Sequence, residues 1–473
     1  MKKQVSTFWA FFPIVFMMLL LAIGYGYFKF KVEPLLVISA GVAGIIAIKL
    51  GYTWEEIEGA MVDKISKTMP ATLILLSVGF VVGSWMFSGT VPMMIYYGVQ
   101  IINPHYFLAC AFIIAAIVST VTGTSWGSAG TVGVALMGVA GGLGISLSAS
   151  AGAIVAGAYF GDKLSPLSDT TNIAPLAAGS KLYEHINHML YTTVPASLIA
   201  LGVYLFAGFN SDLHTTSLDK TQELLAQLDA MFNWNLLLLL PPIFLIVSSL
   251  KKWPAIPTMI GSSLLAILLG IFIQGFSPLD GTKSLVGGFN VVMTGANIEF
   301  SKDVLKLLNR GGIDSVTSTM VLVFAAMCFA GIISFTGMLD KVLETILKAV
   351  KSTFGLIFST AFSCISVALL TGSSYLSILI PGEMFAKSYL NRNLHPKNLS
   401  RTLEDAGTVI VPLIPWSAAG AYMAVTLGVN TLDYLPWAIL NYMGVVVALV
   451  LALTGIGIAK ISDEEKEKYL SEK

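Results

Sequence analysis

Charge is what this 473-residue chain has least of. Asp, Glu, Lys and Arg make up 11% of it, where soluble domains carry about 25%. Residues 68–161 contain none of the four, a run of 94 positions. With 55% hydrophobic residues and a mean hydropathy of +0.80, a water-soluble fold could not hide its apolar surface. The composition therefore implies a polytopic protein of the lipid bilayer. Lys+Arg and Asp+Glu balance at 27 each, which excludes the basic footprint of a nucleic-acid binder.

Cysteine is scarce too. Cys110, Cys328 and Cys364 lie far apart inside apolar segments, which excludes a disulfide framework and a cysteine metal centre. The apolar runs also lack period-2 alternation. Only helices or closed barrels satisfy their backbone in hydrocarbon, so these runs read as helices. Spans are expected near 8–28, 34–50, 70–87, 105–122, 128–160 (as two short pieces), 186–209, 233–250, 254–275, 317–336, 354–390 (interrupted), 403–428 and 433–458. The first is too long for a cleaved signal segment. WEEIEGAMVDKISKTM (54–69) reads as a separate interfacial helix.

What is present, against this background, is a repeat. TGTSWGS (122–128) returns as TGSSYLS (371–377). ISKTM (65–69) is echoed by VTSTM (316–320), and SWMFSG (84–89) by ISFTG (333–337), at a nearly constant offset. SDTTNIAP (168–175) can be laid on EDAGTVIVP (404–412), with Asp169 opposite Asp405. The expected organisation is a first transmembrane repeat over 1–209, an extramembrane linker over 210–232, a second repeat over 233–458 and a charged cytoplasmic tail over 459–473. Lysines favour cytoplasmic loops. Those at 251–252 and 341–351 place the second copy opposite in orientation to the first, with the N-terminus cytoplasmic, although Lys29 and Lys31 dissent. The predicted fold is an all-α polytopic membrane protein of about 11–13 transmembrane segments, in two inverted repeats with interrupted helices or re-entrant hairpins. Such repeats are a signature of secondary transporters, with the site near the midplane where the copies meet.

The polar residues that do occur cluster at the repeat landmarks. Thr122, Gly123, Thr124, Ser125 and Trp126 combine a helix-weakening glycine with hydroxyls, as do Thr371, Ser373, Ser374 and Tyr375 around Gly372. A helix unwound there would expose carbonyl and hydroxyl oxygens, the hard ligands a dehydrated Na+ needs. The other reading is close packing of small residues, and the recurrence in both copies favours the site. GDKLSPLSDTTNIAP (161–175) ends the uncharged run. Pro166 and Pro175 bracket Ser168, Asp169, Thr170, Thr171 and Asn172, so an irregular turn is expected to carry them. Asp162 and Lys163 read as loop residues that pair with each other, which leaves Asp169 as the expected Na+ ligand. Glu404 and Asp405 open the uncharged run 406–432, either as ligands or as the acidic first turn of a helix. Glu383 reads as a snorkelling flank in preference to a proton site, and His185 and His188 as interfacial residues.

A carboxylate withdrawn from water is neutralised by a proton or by Na+, and the two compete. That competition, with alternating access, gives antiport of Na+ against H+. Both ions are cargo and no cofactor is required. An intramembrane protease needs a positioned base or a facing carboxylate dyad, and no His lies within the apolar runs except near their ends. A channel is disfavoured because inverted copies suit alternating access better than a continuous pore.

GDKLSPLSDTTN, with TGTSWG before it and LEDAGTV…VPLIPWS in the second half, resembles the NhaC-type sodium/proton antiporters over nearly the whole chain. The resemblance implies exchange of Na+ for H+ across the bacterial inner membrane by a protein that is not an enzyme, with homodimer formation left open. Some similar transporters exchange a small organic acid (malate against lactate) or an amino acid on the same ion site. Carried over, the site falls on Thr122–Trp126, Asp162, Ser165, Ser168–Asn172, Thr371–Tyr375, Glu404, Asp405 and Thr408. Lys163 and Arg401 would be the carboxylate binders of an organic-acid exchanger.

Overall fold

The computed structural model describes residues 4–210, 218–348, 350, 352–462 and 465–466. Apart from one isolated bridge, Leu394 to Lys460, these residues form helices and their connections. Among the described residues, eight helices are long and apolar enough to cross a membrane, or up to eleven when each strongly bent pair counts as one span. The chain is an all-α polytopic membrane protein.

The 54–69 stretch is not a separate interfacial helix. It is the first half of one helix, Trp54–Phe87, opened by a capping box between Thr53 and Glu56. At 34 residues this helix is about 51 Å long, against a hydrocarbon core of about 30 Å. Its charged first half therefore projects beyond the apolar layer while 72–87 line the interior. The 128–160 run resolves into two pieces. One is Ser125–Ser128 continued through a π-helical turn into Val134–Gly142, and the other is Leu147–Leu164. The expected linker is partly structured. Helix Leu218–Met231 buries Leu224, Leu228 and Met231 against the core, and residues 211–217 lie outside the described residues. Of the expected tail, Ile461 and Lys466 hold the 393 turn by hydrogen bonds. Residues 463–464 and 467–473, like 1–3 at the N-terminus, lie outside the described residues.

Small residues set how closely the helices approach. Helices Phe107–Thr122 and Leu147–Leu164 meet through Gly157 and Gly161, where an added Cβ would stand 2.1 Å from the Phe112 carbonyl oxygen and 2.4 Å from that of Ala116. Ser119 Oγ donates to the Ala158 carbonyl across the same contact, at 2.6 Å. On helix Trp54–Phe87, Gly83 does the same for the 276–316 connection. A Cβ there would meet the Ser284 carbonyl oxygen at 2.1 Å, and one turn earlier Gly79 accepts a backbone hydrogen bond from Gly312 at 2.8 Å. Gly83→Ala should therefore destabilise the protein by about 1–3 kcal/mol through overpacking. Gly41→Ala, which meets open space, should not. Thermal unfolding of the two variants in detergent checks this, and a G83A midpoint equal to wild type refutes the close contact.

Candidate functional site

Both hydroxyl-rich motifs break their helices, and they do so alike. Helix Phe107–Thr122 ends on Gly123 at φ +71°, and helix Thr353–Thr371 ends on Gly372 at φ +63°. Glycine occupies this left-handed region without steric cost, which is why each helix stops there. The next residue restarts a helix. Thr124 accepts from the Gly127 amide and Ser373 from the Leu376 amide, as N-caps. The first break is clamped to the second half. Trp126 stacks on Tyr422 with ring centroids 4.3 Å apart, and the Tyr422 hydroxyl donates to the Trp126 carbonyl at 2.6 Å. The second break is held by Ala418, whose amide donates to the Gly372 carbonyl at 3.3 Å.

Between the breaks lies a cavity of about 770 Å³. Thr122, Gly123, Thr124, Ser125, Trp126, Asp162, Ser168, Asp169 and Thr170 line it from the first half, and Thr371, Ser373, Ser374, Tyr375 and Thr408 from the second. The two motifs thus face one space. Five expected site residues stand behind its wall. Ser165 Oγ donates to the Thr120 carbonyl at 2.9 Å, Thr171 Oγ1 to the Asp162 carbonyl at 3.1 Å and Asn172 Nδ2 to the Ser168 carbonyl at 2.6 Å. These three build the turn. The other two, Glu404 and Asp405, belong to a buried charged layer.

That layer corrects the expected depths. Asp162 and Lys163 are not loop residues. They sit in the last turn of helix Leu147–Leu164, at 8% and 2% exposure. Nor do they pair with each other. Asp162 Oδ2 accepts from Ser125 Oγ at 2.7 Å, whereas the Lys163 ammonium binds the Asp405 carboxylate of the second half. The irregular turn is 165–168. Asp169 opens a helix, Asp169–Ala178, that carries Pro175 inside it. Asp169 is exposed at the cavity mouth, with the Tyr375 hydroxyl 3.5 Å away. Asp162 is the deeper carboxylate.

Glu404 and Asp405 are fully buried, and they close a helix, Pro396–Gly407, where the sequence allowed for an acidic first turn. The helix C-terminus carries partial negative charge, so the dipole does not account for them there. Thr170 Oγ1 donates to Glu404 Oε1 at 3.2 Å, which connects Glu404 to the cavity wall. Arg401, on the same helix, is buried and donates Nη1 to the Gly457 carbonyl at 2.9 Å, while its Nε and Nη2 have no partner among the described residues. Neither Lys163 nor Arg401 lines the cavity, so neither can meet a solute there as the organic-acid reading expected. Asp162 and Asp405 each stand two residues before the end of their helix. Asp405 therefore matches Asp162 in local structure, where the sequence set it against Asp169.

His185 and His188, read as interfacial, are buried within the protein. They contact Ser400 Oγ at 2.9 Å and Asn398 Oδ1 at 3.2 Å. Glu383 is exposed, as a flank would be. The cavity also has lining residues that the motifs did not point to. Tyr159 lies one turn before Asp162, and Lys67, Ser249, Lys252 and Trp253 border the opening. The lysines were legible only as span ends.

The Lys163–Asp405 pair joins the two halves in a dry place, so removing one partner strands a buried charge, at a cost of about 3–5 kcal/mol. Asp405→Asn should lower the thermal midpoint strongly, and adding Lys163→Met should recover much of the loss. A double-mutant cycle in detergent measures it, and losses that simply add would show that the pair does not interact.

The profile of the Na+/H+ antiporter family matches residues 157–456, which include Asp162, both charged helix ends and the second break. A Haemophilus influenzae protein named an uncharacterized Na(+)/H(+) antiporter is 49% identical over 97% of this chain and 98% of its own. The Na(+)/H(+) antiporter NhaC of Alkalihalophilus pseudofirmus is 39% identical over 92% and 93%. A Bacillus subtilis protein named malate-2H(+)/Na(+)-lactate antiporter is 34% identical over 90% and 89%. On this similarity, across nearly its whole length, the chain belongs to the NhaC-type Na+/H+ antiporter family.

Proposed function

We propose that the protein exchanges Na+ for H+ across the bacterial plasma membrane by alternating access, with the ion bound at Asp162 between the two helix breaks. The observation that carries this reading is the single cavity that Asp162 shares with both breaks. Ser125 already donates to one carboxylate oxygen. The remaining lone pairs, the hydroxyls of Thr122, Ser168 and Ser373, and the carbonyls freed at the breaks are the hard oxygens a dehydrated monovalent cation requires. Asp169, the sequence's choice of ligand, would serve at the mouth, drawing cations inward.

Charge balance supports coupling. The buried layer holds three carboxylates, Asp162, Glu404 and Asp405, against two cations, Lys163 and Arg401. One negative charge is left over, and either Na+ or a proton neutralises it. The loaded cluster can then cross between inward and outward exposure, while the empty, charged one is held back by the cost of desolvation. Exchange follows because neither ion can leave without the other replacing it. Two copies of inverted orientation, 1–209 and 233–458, would supply the rocking parts. The matching breaks at Gly123 and Gly372 support that arrangement.

One observation favours a second reading. A bare Na+ does not need about 770 Å³, a volume within the usual range of small-molecule pockets. With Lys67 and Lys252 at the opening, the cavity would also admit a small organic acid beside the ion, the kind of exchange named for the B. subtilis relative.

Asp162→Asn should abolish Na+-dependent proton flux in proteoliposomes while the protein still inserts. Ser125→Ala should raise the apparent KM for Na+ about 3–10-fold, as expected when one hydrogen-bonding group of about 1 kcal/mol is lost. Full flux in D162N would remove Asp162 from the mechanism. An imposed malate or lactate gradient that drives Na+ movement would decide for the second reading.

A further inference from the structure

Arg310 takes no part in the charged layer described above. It lies in the connection before helix Asp314–Phe335, half-buried, with no hydrogen bond or ion pair to its guanidinium among the described residues. It borders a second cavity of about 220 Å³, together with Ser315, Ser318, Thr319 and Asn430. Gly428, at φ +70°, makes room for it. A Cβ there would stand 2.6 Å from Arg310 Nη2.

The two cavities share three walls. Helix Trp54–Phe87 meets the first cavity at Lys67–Ile74 and the second at Gly79 and Val82. Helix Asp314–Phe335 meets the second at Ser315–Thr319 and the first at Val323 and Met327. Helix Ala418–Leu427 runs from Ala418 at the first to Val425 at the second. Between the two sets along these helices stand Leu75, Val78, Tyr422 and Met423, all buried. The first cavity presents the carboxylates of Asp162 and Asp169, with Lys67 and Lys252 at its opening, whereas the second presents a guanidinium and no carboxylate.

We propose that the Arg310 cavity is a binding site for a small monocarboxylate, separate from the cation site and at the far end of the same helices. A guanidinium offers a planar fork of donors that matches a carboxylate bidentately. A half-buried one without a protein counterion gains more from such a ligand than a solvated surface arginine does. The Ser318 and Thr319 hydroxyls make no hydrogen bond of their own among the described residues and are free to donate. At roughly 30 Å³ per water, the space takes an acid of two to four carbons and not a long-chain one. The site does not depend on the Na+/H+ reading and would stand if that reading failed.

The test is titration of the full-length protein in detergent, without Na+, with the N-methylglucamine salts of acetate and L-lactate against the matched chloride, followed by calorimetry. Wild type should bind the carboxylates saturably and chloride at least tenfold more weakly. Arg310→Gln should weaken carboxylate binding at least tenfold, Arg310→Lys about threefold or more because the fork is lost, and Ser318→Ala by a smaller factor. Should R310Q fail to fold, R310K and S318A decide, and unchanged affinity in both overturns the site. The proposal also falls if wild type shows no saturable binding, if chloride matches the carboxylates (an inorganic-anion site), or if R310Q binds lactate as wild type does.

Discussion

A carboxylate that has left water must be neutralised, and most of the interior follows from that one requirement. Asp162, Glu404 and Asp405 are all buried within the helix bundle. Asp405 is answered by Lys163, the neighbour in sequence of Asp162, so one helix turn delivers both a carboxylate to the cavity and a counter-charge to the opposite half. The pair makes the two halves electrostatically dependent on each other at the depth where an ion would reside. A hydrophobic pair of equal volume could have joined them at no greater cost. An ionic one makes the junction sensitive to whatever charge enters beside it.

The helix breaks answer the same requirement from the backbone side. Unwinding a helix in an apolar setting frees amides and carbonyls that must find partners. Here each break is one left-handed glycine long, and the helix is capped again at once by Thr124 or Ser373. The recapping satisfies the Gly127 and Leu376 amides. The Trp126–Tyr422 stack and the Ala418 amide then fix the two breaks against the same short helix, so their spacing is set by tertiary contacts and not by the loops themselves.

Much of this was legible along the chain. Glycine flanked by hydroxyl residues inside an apolar run signals a break wherever it occurs, and its return in the second half located both sides of the cavity. The apolar spans were equally plain, although the 34-residue helix Trp54–Phe87 read as an interfacial helix followed by a span. Depth was not. Asp162, Lys163 and Asp169 lie within eight positions, and composition cannot say which of them a helix end carries inward. The decisive contact, Lys163 with Asp405, bridges 242 residues, beyond any local pattern. The contacts of His185 and His188 were hidden for the same reason, because their partners Asn398 and Ser400 lie on a helix that is polar in sequence and yet buried at every position but Lys397. Arg310 gave no signal, since its meaning comes from the acidic neighbour it lacks.

The separation of Lys163 from Asp405 has a consequence for biogenesis. At about 5–20 residues per second of synthesis, the ribosome needs roughly 12–50 s to travel from one to the other. For that interval the nascent first half carries an ammonium whose counter-charge in the folded protein has not yet been made. The last turn of helix Leu147–Leu164 thus gains its ionic partner only after most of the second half has been made, and a chain cut between the two halves would never gain it.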